Sequence, residues 1–290
     1  MYVHVNGELC PESDATVSVR DRGFRYGDGV FETLRAYGGS IFEYEAHRDR
    51  LHRSASALGM AEAIPADLAE RINETLAKNE LEDAYVRVSI TRGVQPGKLT
   101  PRPATNPTIV VEVAPLERGG INGSRVWDGP AVVQSVQTRR VPDSAQPVAA
   151  KTHNYLDGIM ARLELAQAAT EDYRADEALL RATDGTVAEG ATSNCFFVDE
   201  GTLKTPAEGT ILPGITRAVV LELARKESFP VETGRYTLAD VRSADEAFLT
   251  NTTWELRPIE SLDGIAIGGG PITALLTRLF DERVERLYDD

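Results

Sequence analysis

Lys151 is one residue of this sequence that could do chemistry, because a lysine amine that loses its charge can attack a carbonyl carbon or carry a proton. Ala149 and Ala150 precede it, and apolar residues at helical spacing follow it. These neighbours predict a partly buried junction, where removal from water favours the uncharged amine. Most lysines are solvated at protein surfaces, so the position alone does not assign a role to Lys151.

A second candidate is the start of the predicted helix ITRAVVLELARK, which begins at residue 215. Pro213 and Gly214 predict a turn that introduces this helix. The first N–H groups of a helix lack partners within it, and the helix dipole favours negative charge there. The pattern alone indicates only a turn and a helix start, but such a start can bind an anion.

Two arginines, Arg87 and Arg92, lie in the strand-like run AYVRVSITR and could bind a carboxylate. A planar guanidinium group can pair with both oxygens of a carboxylate at once. Successive side chains of a strand point to opposite faces of a sheet. We therefore expect Arg87 and Arg92 on opposite faces, with only one of them at a site.

The elements that position these residues begin, over the first hundred residues, with strand, strand, helix, helix, strand and strand. Strand-like runs before and after Gly38-Gly39 predict a β-hairpin whose turn needs positive backbone φ angles. Apolar residues at helical spacing predict helices over 46–58 and 64–76. The last two strands are separated by a Pro- and Gly-bearing loop over 93–107.

Charged residues and paired glycine predict a linker over 118–125, between an N-terminal domain at 1–117 and a C-terminal domain at 126–290. A helix over 154–168 carries apolar residues on one face. The members of that face are Leu156, Ile159, Met160 and Leu163. Asp184-Gly185 predicts a hairpin, as does the run CFFVDEGTLKTP. Two late strands precede a C-terminal helix, and the irregular mixture of strands and helices predicts an α+β fold.

The composition limits the classes of function. A chain of 290 residues with a formal charge of −14 repels nucleic-acid phosphates, so a small-molecule partner is expected. No apolar run approaches the roughly eighteen residues of a membrane span, and the start lacks the pattern of a signal peptide, which predicts a cytoplasmic protein. Cys10 and Cys195 are too few for a disulfide framework and form no metal-type cluster with the histidines.

The scarcity of lysine beside many acidic residues suggests a protein adapted to a high-salt cytoplasm. A genome of high GC content with an acidic bias explains the same composition equally well. The lysines are Lys78, Lys98, Lys151, Lys204 and Lys226.

Four separated segments together resemble the class IV aminotransferases, the fold type IV family of pyridoxal-phosphate enzymes. They are YGDGVFETLR with HRDRL, then AAKTHNYL, then GTVAEGATSNCFF, and finally LPGITR with FLTNTTWELRP. Their order and spacing also resemble that family over nearly the whole chain. The resemblance implies two domains, a smaller N-terminal α/β domain and a larger C-terminal domain with a barrel-like sheet. It also implies pyridoxal 5'-phosphate as the cofactor and a homodimer.

On this resemblance, Lys151 would hold the cofactor as a Schiff base and move the proton between the substrate Cα and the cofactor C4′. Glu189 would pair with the pyridine nitrogen and keep it protonated, so that the ring withdraws electrons. Tyr155 would hydrogen-bond the phenolic oxygen. The phosphate would rest on the backbone N–H groups of Ile215 and Thr216.

The resemblance implies further contacts to the cofactor and to the substrate. Arg50 and Thr252 would complete the phosphate site, and Asn194 and Leu212 would brace the ring. We prefer Arg92 to Arg87, because the TRG string resembles the region where D-amino-acid aminotransferases and aminodeoxychorismate lyases keep an arginine. The substrate-side candidates are Phe31, Tyr37, Arg92, Thr253 and Trp254.

The member of the family stays open between two activities. Branched-chain aminotransferases commonly have FEG where this chain has Phe31-Glu32-Thr33, and GEN where it has Thr192-Ser193-Asn194. The strings FETLR, TRG and KTHNYL favour the D-amino-acid aminotransferase and aminodeoxychorismate lyase branches, whereas NTTWELRP is typical of an aminotransferase. The chain is therefore expected to be an aminotransferase of the branched-chain or D-amino-acid type. The alternative is a lyase that releases pyruvate and 4-aminobenzoate from 4-amino-4-deoxychorismate.

Overall fold

The computed structural model describes residues 1–97, 99–103, 106–171 and 173–289. Part of the predicted loop over 93–107, including Lys98, lies outside the described residues. The chain divides into a first unit of Met1–Ser124, Ala150–Asn154 and Val284–Asp290, and a second unit of Arg125–Ala149 and Tyr155–Arg283. The first crossing between the units, after Ser124, falls inside the predicted linker 118–125. The linear division did not anticipate the two short segments that return to the first unit.

The first unit is built around an antiparallel sheet with the strand order β2-β1-β6-β5-β3-β4. A single-turn 3-10 helix covers Glu12–Asp14 and another covers Ala61–Ala63. The helices and strands of this unit are β1 (Tyr2–Val5), β2 (Glu8–Pro11), α1 (Arg22–Tyr26), β3 (Gly29–Tyr37), β4 (Ser40–Ile41), α2 (Tyr44–Ala57), α3 (Leu68–Lys78), β5 (Ala84–Thr91) and β6 (Thr108–Pro115).

The hairpin predicted at Gly38-Gly39 is confirmed, because β3 and β4 pair antiparallel across it and both glycines have positive φ angles. The strand-like run predicted after Gly38-Gly39, IFEYE at residues 41–45, is wrong after Ile41. Glu43 adopts a left-handed conformation with φ 52°, and α2 begins at the next residue. The helix is favoured there because it buries apolar side chains such as Leu51 against the sheet, which an extended chain would leave in water.

Alternation along β3 separates two faces of the sheet. Val30 and Leu34 pack into a core with Leu51 of α2 and Ile72 of α3. Glu32 shares that face, since it lies two residues from each of them. Phe31 points to the opposite face. It lies directly across from Ser89 of β5 in the sheet.

The second unit is built on a sheet that curls into a half-barrel. Its strand order is β12-β11-β10-β13-β14-β7-β8-β9, with β15 on β14. The elements are β7 (Ala131–Arg139), α4 (Leu156–Ala168), β8 (Glu177–Arg181), β9 (Val187–Gly190), β10 (Asn194–Asp199), β11 (Thr202–Pro206), α5 (Ile215–Lys226), β12 (Val231–Gly234), α6 (Leu238–Arg242), β13 (Glu246–Asn251), β14 (Glu255–Leu262), β15 (Ile265–Ala266) and α7 (Pro271–Asp289). Both hairpins predicted for this part of the chain are confirmed, as the pairs β8–β9 and β10–β11.

The apolar stripe predicted on α4 faces outward rather than into the core. Leu156 and Ile159 are 61% exposed, Met160 is 43% exposed and Leu163 is 45% exposed. The buried side of the helix carries small residues, and a β-carbon on Gly158 would come within 3.2 Å of a backbone oxygen. Small residues allow α4 to approach β7 and β8 closely, so the larger side chains are left on the other side. Among the described helices, none is long and apolar enough to cross a membrane.

Candidate functional site

Lys151 lies in the first unit, where residues 151–153 add to the edge of β3. The N–H of Phe31 donates to the carbonyl of Lys151 at 3.0 Å, and the N–H of His153 donates to the carbonyl of Gly29 at 2.9 Å. The N–H of Lys151 donates to Oγ of the buried Ser54 at 2.9 Å. The Lys151 side chain is partly buried, with Nζ 4.4 Å from the centre of the Phe31 ring. Hydrogen bonds to β3 and to Ser54 thus fix the backbone that carries this amine.

Arg50 is buried on α2 and is held by a carboxylate from β3. Its Nε and Nη2 atoms both donate to the carboxylate of Glu32 at 2.7 Å. His47, one helical turn before Arg50, places Nδ1 2.8 Å from the same carboxylate. All three side chains are buried. The arrangement is a buried bidentate ion pair with a histidine attached.

The electrostatics of this group keep Glu32 ionised and His47 uncharged. Burial acts to raise the pKa of Glu32, but the charge and hydrogen bonds of Arg50 and the hydrogen bond of His47 outweigh it and hold that pKa well below its usual range. Burial lowers the pKa of His47, and the charges of Arg50 and Lys151 act in the same direction against the hydrogen bond to Glu32. One negative and one positive charge therefore balance within the group.

The structure places Arg87, rather than the preferred Arg92, beside the ring of Phe31. Arg92 is buried away from Phe31, with Nε donating to Asp28 at 2.9 Å and Nη2 donating to the carbonyl of Leu58 at 2.5 Å. Arg87 has its guanidinium carbon 3.9 Å from the centre of the Phe31 ring, which also contacts Lys151. Alternation predicts that the two arginines diverge, but it does not say which one turns toward the lysine.

Tyr37 lies apart from Phe31, although both belong to β3 and alternate to the same face. Six residues of strand separate them by about 20 Å. Tyr37 is buried in an aromatic cluster, with ring centres 5.7 Å from Phe42 and 6.3 Å from Tyr288. Its surroundings are those of a packing residue.

Glu189 lies in the second unit on β9, where its buried carboxylate is held by donors from separate segments. Nε of Arg140 donates to Oε1 at 2.7 Å. The side-chain amide of Asn194 and the backbone N–H of Leu212 donate to Oε2 at 3.1 and 2.9 Å. Asn194 also donates to the carbonyl of Leu212 at 3.0 Å, so it links the two partners of one oxygen. The carboxylate is held in a single orientation.

Arg140 was missed by the sequence-based predictions. Its Nη1 donates to Asp157 and its Nε to Glu189. Burial acts to lower the pKa of Arg140, but the charges of Glu189 and Asp157 outweigh it and raise that pKa above its usual value. Tyr155, at the start of α4, is partly buried and lies two residues before Asp157. The arginine connects Glu189 to the residues beside Tyr155.

The start of α5 has the features of an anion site. Within the described chain, no side chain caps this helix at Gly214, and Ile215 and Thr216 in its first turn are buried. Gly214 has φ −66°, so glycine is not required for its dihedral angle. It is required for space, since a β-carbon would lie 2.0 Å from Oδ1 of Asn194.

The turn after β13 carries Thr252, Thr253 and Trp254 and is organised by Asn251. The side-chain oxygen of Asn251 accepts from the N–H of Thr253 at 3.0 Å and from that of Trp254 at 2.7 Å. Its amide donates to the carbonyl of Thr192 at 3.2 Å. Trp254 packs against the core of the second unit, with the guanidinium carbon of Arg257 5.2 Å from its ring centre. The threonines are partly buried.

Comparison with known proteins gives a consistent family. The model of the amino-transferase class IV family matches residues 29–262. A putative branched-chain-amino-acid aminotransferase of Methanocaldococcus jannaschii is 40% identical and covers 100% of both chains. A D-alanine aminotransferase of Listeria monocytogenes is 34% identical over 99% of this chain and 97% of its own.

Solved structures give the same fold. A T.th. branched-chain amino acid aminotransferase with pyridoxamine 5'-phosphate is 30% identical, with a TM-score of 0.89 over 99% of this chain and 96% of its own. A putative 4-amino-4-deoxychorismate lyase of Legionella pneumophila is 26% identical, with a TM-score of 0.82 over 93% of this chain and 96% of its own. Among the described residues, no group of potential ligands is arranged to hold a metal ion.

Proposed function

We infer that this chain, which belongs to the amino-transferase class IV family, is a pyridoxal-phosphate-dependent aminotransferase that moves an amino group between an amino acid and a 2-oxoacid. The observation that carries this proposal is the buried carboxylate of Glu189, which donors from Arg140, Asn194 and Leu212 hold in place. A fixed carboxylate is the partner that a protonated pyridine nitrogen needs. When bound, the cofactor withdraws the electrons left at the substrate Cα after its proton departs.

Residues of the second unit fit the ring and the phosphate of this cofactor. Glu189 would pair with the ring nitrogen, while Tyr155 would donate to the phenolic oxygen. The N–H groups of Ile215 and Thr216 suit a phosphate because they open a helix that no side chain caps within the described residues. The absent β-carbon of Gly214 keeps Asn194 in contact with Glu189.

Lys151 would hold the cofactor covalently and move the proton at the substrate Cα. Its fixed backbone and its position over Phe31 support this role, because a proton carrier must return to the same place in every cycle. Arg50 and Thr252 would add donors to the phosphate. The buried state of Arg50 supports its part, since a cation away from water strengthens its interaction with an anion.

Arg87 is our choice for the substrate carboxylate, together with Phe31 beneath the reacting amine. The guanidinium of Arg87 lies over the same ring as Lys151, whereas that of Arg92 is committed to Asp28. Thr253 stays a candidate for the substrate side because it lies in the turn that Asn251 organises. Trp254 and Tyr37 are weaker candidates, because both rings pack into cores.

The substrate class is proposed to be branched-chain or D-amino acids. The relatives at 40% and 34% identity are named for these two activities. A lyase acting on 4-amino-4-deoxychorismate is the second candidate, because a neighbour of that name shares the fold at 26% identity. The lower identity of that neighbour favours the aminotransferase.

Amino donors with 2-oxoglutarate, followed by aminodeoxychorismate, separate the two activities. An aminotransferase converts its bound cofactor to the amine form with a donor alone, and a donor screen read by absorbance identifies the preferred side chain and its L or D configuration. Formation of pyruvate and 4-aminobenzoate without that spectral change would rule out the aminotransferase.

The cofactor assignment has a separate test in Lys151→Ala. The purified protein is expected to absorb near the edge of the visible range and to bleach on borohydride treatment, and the variant is expected to lose both properties. Lys204→Ala serves as the control, because Lys204 pairs with Asp199 on the surface. A wild-type preparation without any cofactor signal after reconstitution would overturn the assignment.

The outward apolar stripe of α4 supports a homodimer. Leu156, Ile159, Met160 and Leu163 form a contiguous exposed row, which a monomer would leave in contact with water. Light scattering is expected to give twice the chain mass, and Ile159→Glu is expected to lower it. Ile265→Glu is the control, because Ile265 is exposed in the same unit but lies off this stripe. A monomeric wild type would contradict the proposal.

A cytoplasmic location and adaptation to high salt complete the proposed setting. Cys195 is buried and Cys10 is partly buried, and neither forms a disulfide, which suits a reducing compartment. The formal charge of −14 is the basis for the salt proposal, since salt screens repulsion between acidic residues. Refolding across a salt series tests it, and stability that falls as salt rises would contradict it.

A further inference from the structure

The proposed function assigns phosphate binding to Arg50 but assigns no role to the two buried residues beside it, Glu32 and His47. Glu32 and His47 do not fill apolar space efficiently, and a buried ion pair is often no more stabilising than apolar residues of the same size. The pair is nevertheless bidentate, with both distances at 2.7 Å, and His47 adds a contact at 2.8 Å. Three close contacts to one carboxylate therefore fix the relative positions of these side chains.

Helix α2 connects this group to the candidate lysine. His47, Arg50 and Ser54 are separated by three and four residues, so they lie on one face of the helix. Ser54 accepts the backbone N–H of Lys151, and the charge of Lys151 acts on His47. One face of α2 therefore carries both Ser54, which binds the backbone of Lys151, and Arg50.

A bidentate carboxylate fixes the orientation of a guanidinium. Glu32 accepts one hydrogen bond from Nε and one from Nη2, which together form one edge of the guanidinium of Arg50. A guanidinium has five N–H groups in total. An arginine held by one edge loses little further rotational freedom when its other edge meets an anion. His47 holds Glu32 in turn, because Nδ1 contacts the oxygen that also accepts from Nη2.

We propose that Glu32 and His47 are positioning residues that hold Arg50 in the orientation needed to bind the phosphate of the cofactor. The inference rests on the proposed function and adds to it the part of the chain that sets the strength of phosphate binding. His47 acts through Glu32, and Glu32 acts through Arg50. Neither contacts the phosphate in this scheme.

Competition between Glu32 and the phosphate for Arg50 would change phosphate binding in the opposite direction. An anion beside Arg50 also competes with the phosphate for the same positive charge. If competition dominated, removal of the Glu32 charge would tighten binding of the phosphate. If positioning dominates, the same change weakens it, because Arg50 loses its fixed orientation.

The experiment measures binding of two ligands to the cofactor-free full-length protein by absorbance. Pyridoxal 5'-phosphate reports on the whole site, whereas pyridoxal lacks the phosphate and reports on the rest. Glu32→Gln is expected to raise the dissociation constant of the phosphorylated ligand by roughly tenfold or more, in the range seen when a supporting hydrogen-bond partner is lost. Binding of pyridoxal is expected to stay unchanged. An unchanged or lower dissociation constant for the phosphorylated ligand would overturn the proposal.

Two substitutions of His47 separate positioning from packing. His47→Leu removes the donor to Glu32, while His47→Asn keeps an N–H near the place of Nδ1. We expect the leucine variant to weaken binding of the phosphorylated ligand and the asparagine variant to recover most of it. Equal weakening in both variants would show that His47 acts through its volume and would exclude its part in the scheme.

The background Arg50→Lys tests whether the effect passes through the arginine. In that background Glu32→Gln is expected to change binding little further, because coupled residues are not additive. Asp28→Asn is the matched control, since Asp28 is another carboxylate of the first unit that binds arginines. It is expected to lower stability without changing the ratio between the two ligands. Wild-type protein that binds neither ligand would instead refute the proposed function.

Discussion

Asn194 lies where a side chain on Gly214 would have to go, because a β-carbon built on that glycine would be 2.0 Å from Oδ1 of Asn194. The amide of Asn194 donates to Glu189 and to the carbonyl of Leu212. A small change at the start of α5 is therefore transmitted to the carboxylate proposed to meet the pyridine nitrogen.

Gly214→Ala is expected to weaken cofactor binding by roughly tenfold to a hundredfold, because Asn194 must move and its partners lose a donor. Titration of cofactor-free protein with pyridoxal 5'-phosphate measures the change. Gly129→Ala is the control, since nothing lies within 4 Å of its β-carbon position. Equal binding by the Gly214 variant and wild type would mean that the turn relaxes without disturbing Asn194.

Glu189→Gln is expected to lower kcat by about 10² or more while the bound cofactor stays visible in the absorbance spectrum. The substitution keeps the shape of the side chain but removes the charge that stabilises a protonated ring nitrogen. Steady-state kinetics on the best donor measure the loss. Asp157→Asn should cost less, because it touches Arg140 and leaves the charge of Glu189 in place. A variant with wild-type kcat would remove Glu189 from the proposed mechanism.

Arg87 and Arg92 are expected to fail in different ways when replaced by methionine. Arg92→Met leaves the partly buried Asp28 with one arginine fewer and should lower the free energy of unfolding by about 2–3 kcal/mol. Arg87 is 30% exposed at its side chain, so Arg87→Met should change stability by less than about 1 kcal/mol but raise KM for the substrate. Urea unfolding and steady-state kinetics on both variants measure the contrast. The reverse pattern would restore Arg92 as the substrate residue.

Local signals predicted much of the fold. Gly38-Gly39 marked a real hairpin, and Pro213-Gly214 marked the start of α5 at Ile215. The strands β1 and β14 were not predicted; β1 is only four residues long, and β14 mixes polar residues with Pro258. Helical spacing identified the residues that share a face of α4 but could not say that small residues on the other face would be the buried ones.

For the candidate site, too, local motifs predicted some residues, whereas contacts between distant segments were missed. Lys151 and Glu189 were predicted from the motifs AAKTHNYL and GTVAEGATSNCFF, each of which is continuous in the sequence. Arg140 was not, because it is 49 residues from Glu189 and only the folded sheet brings them together. The partnership of Glu32 with Arg50 spans 18 residues and two elements, so no spacing rule connects them. Contacts between distant segments are set by packing, which a single sequence does not display.

His153 provides a prediction for the dependence of stability on pH. Its Nε2 atom is buried and has no hydrogen-bond partner among the described residues. Burial lowers the pKa of His153 to about 4, and the charge of Arg87 acts in the same direction against Asp21 and a backbone contact. The unfolded chain binds a proton at this histidine near pH 6.5, before the folded chain does. Stability is therefore lost as the pH falls from about 6.5 toward 4.

His153→Leu is expected to remove that part of the acid sensitivity, which amounts to at most about 3 kcal/mol between these limits. Urea unfolding at pH 7, 5.5 and 4.5 measures it as the difference between variant and wild type, so the contributions of other histidines and carboxylates cancel. The difference should grow in favour of the variant as the pH falls. His52→Leu is the control, because His52 is exposed on α2. A difference for His153→Leu that stays constant from pH 7 to 4.5 would mean that this histidine is protonated in the folded protein, so its Nε2 would have to find an acceptor there.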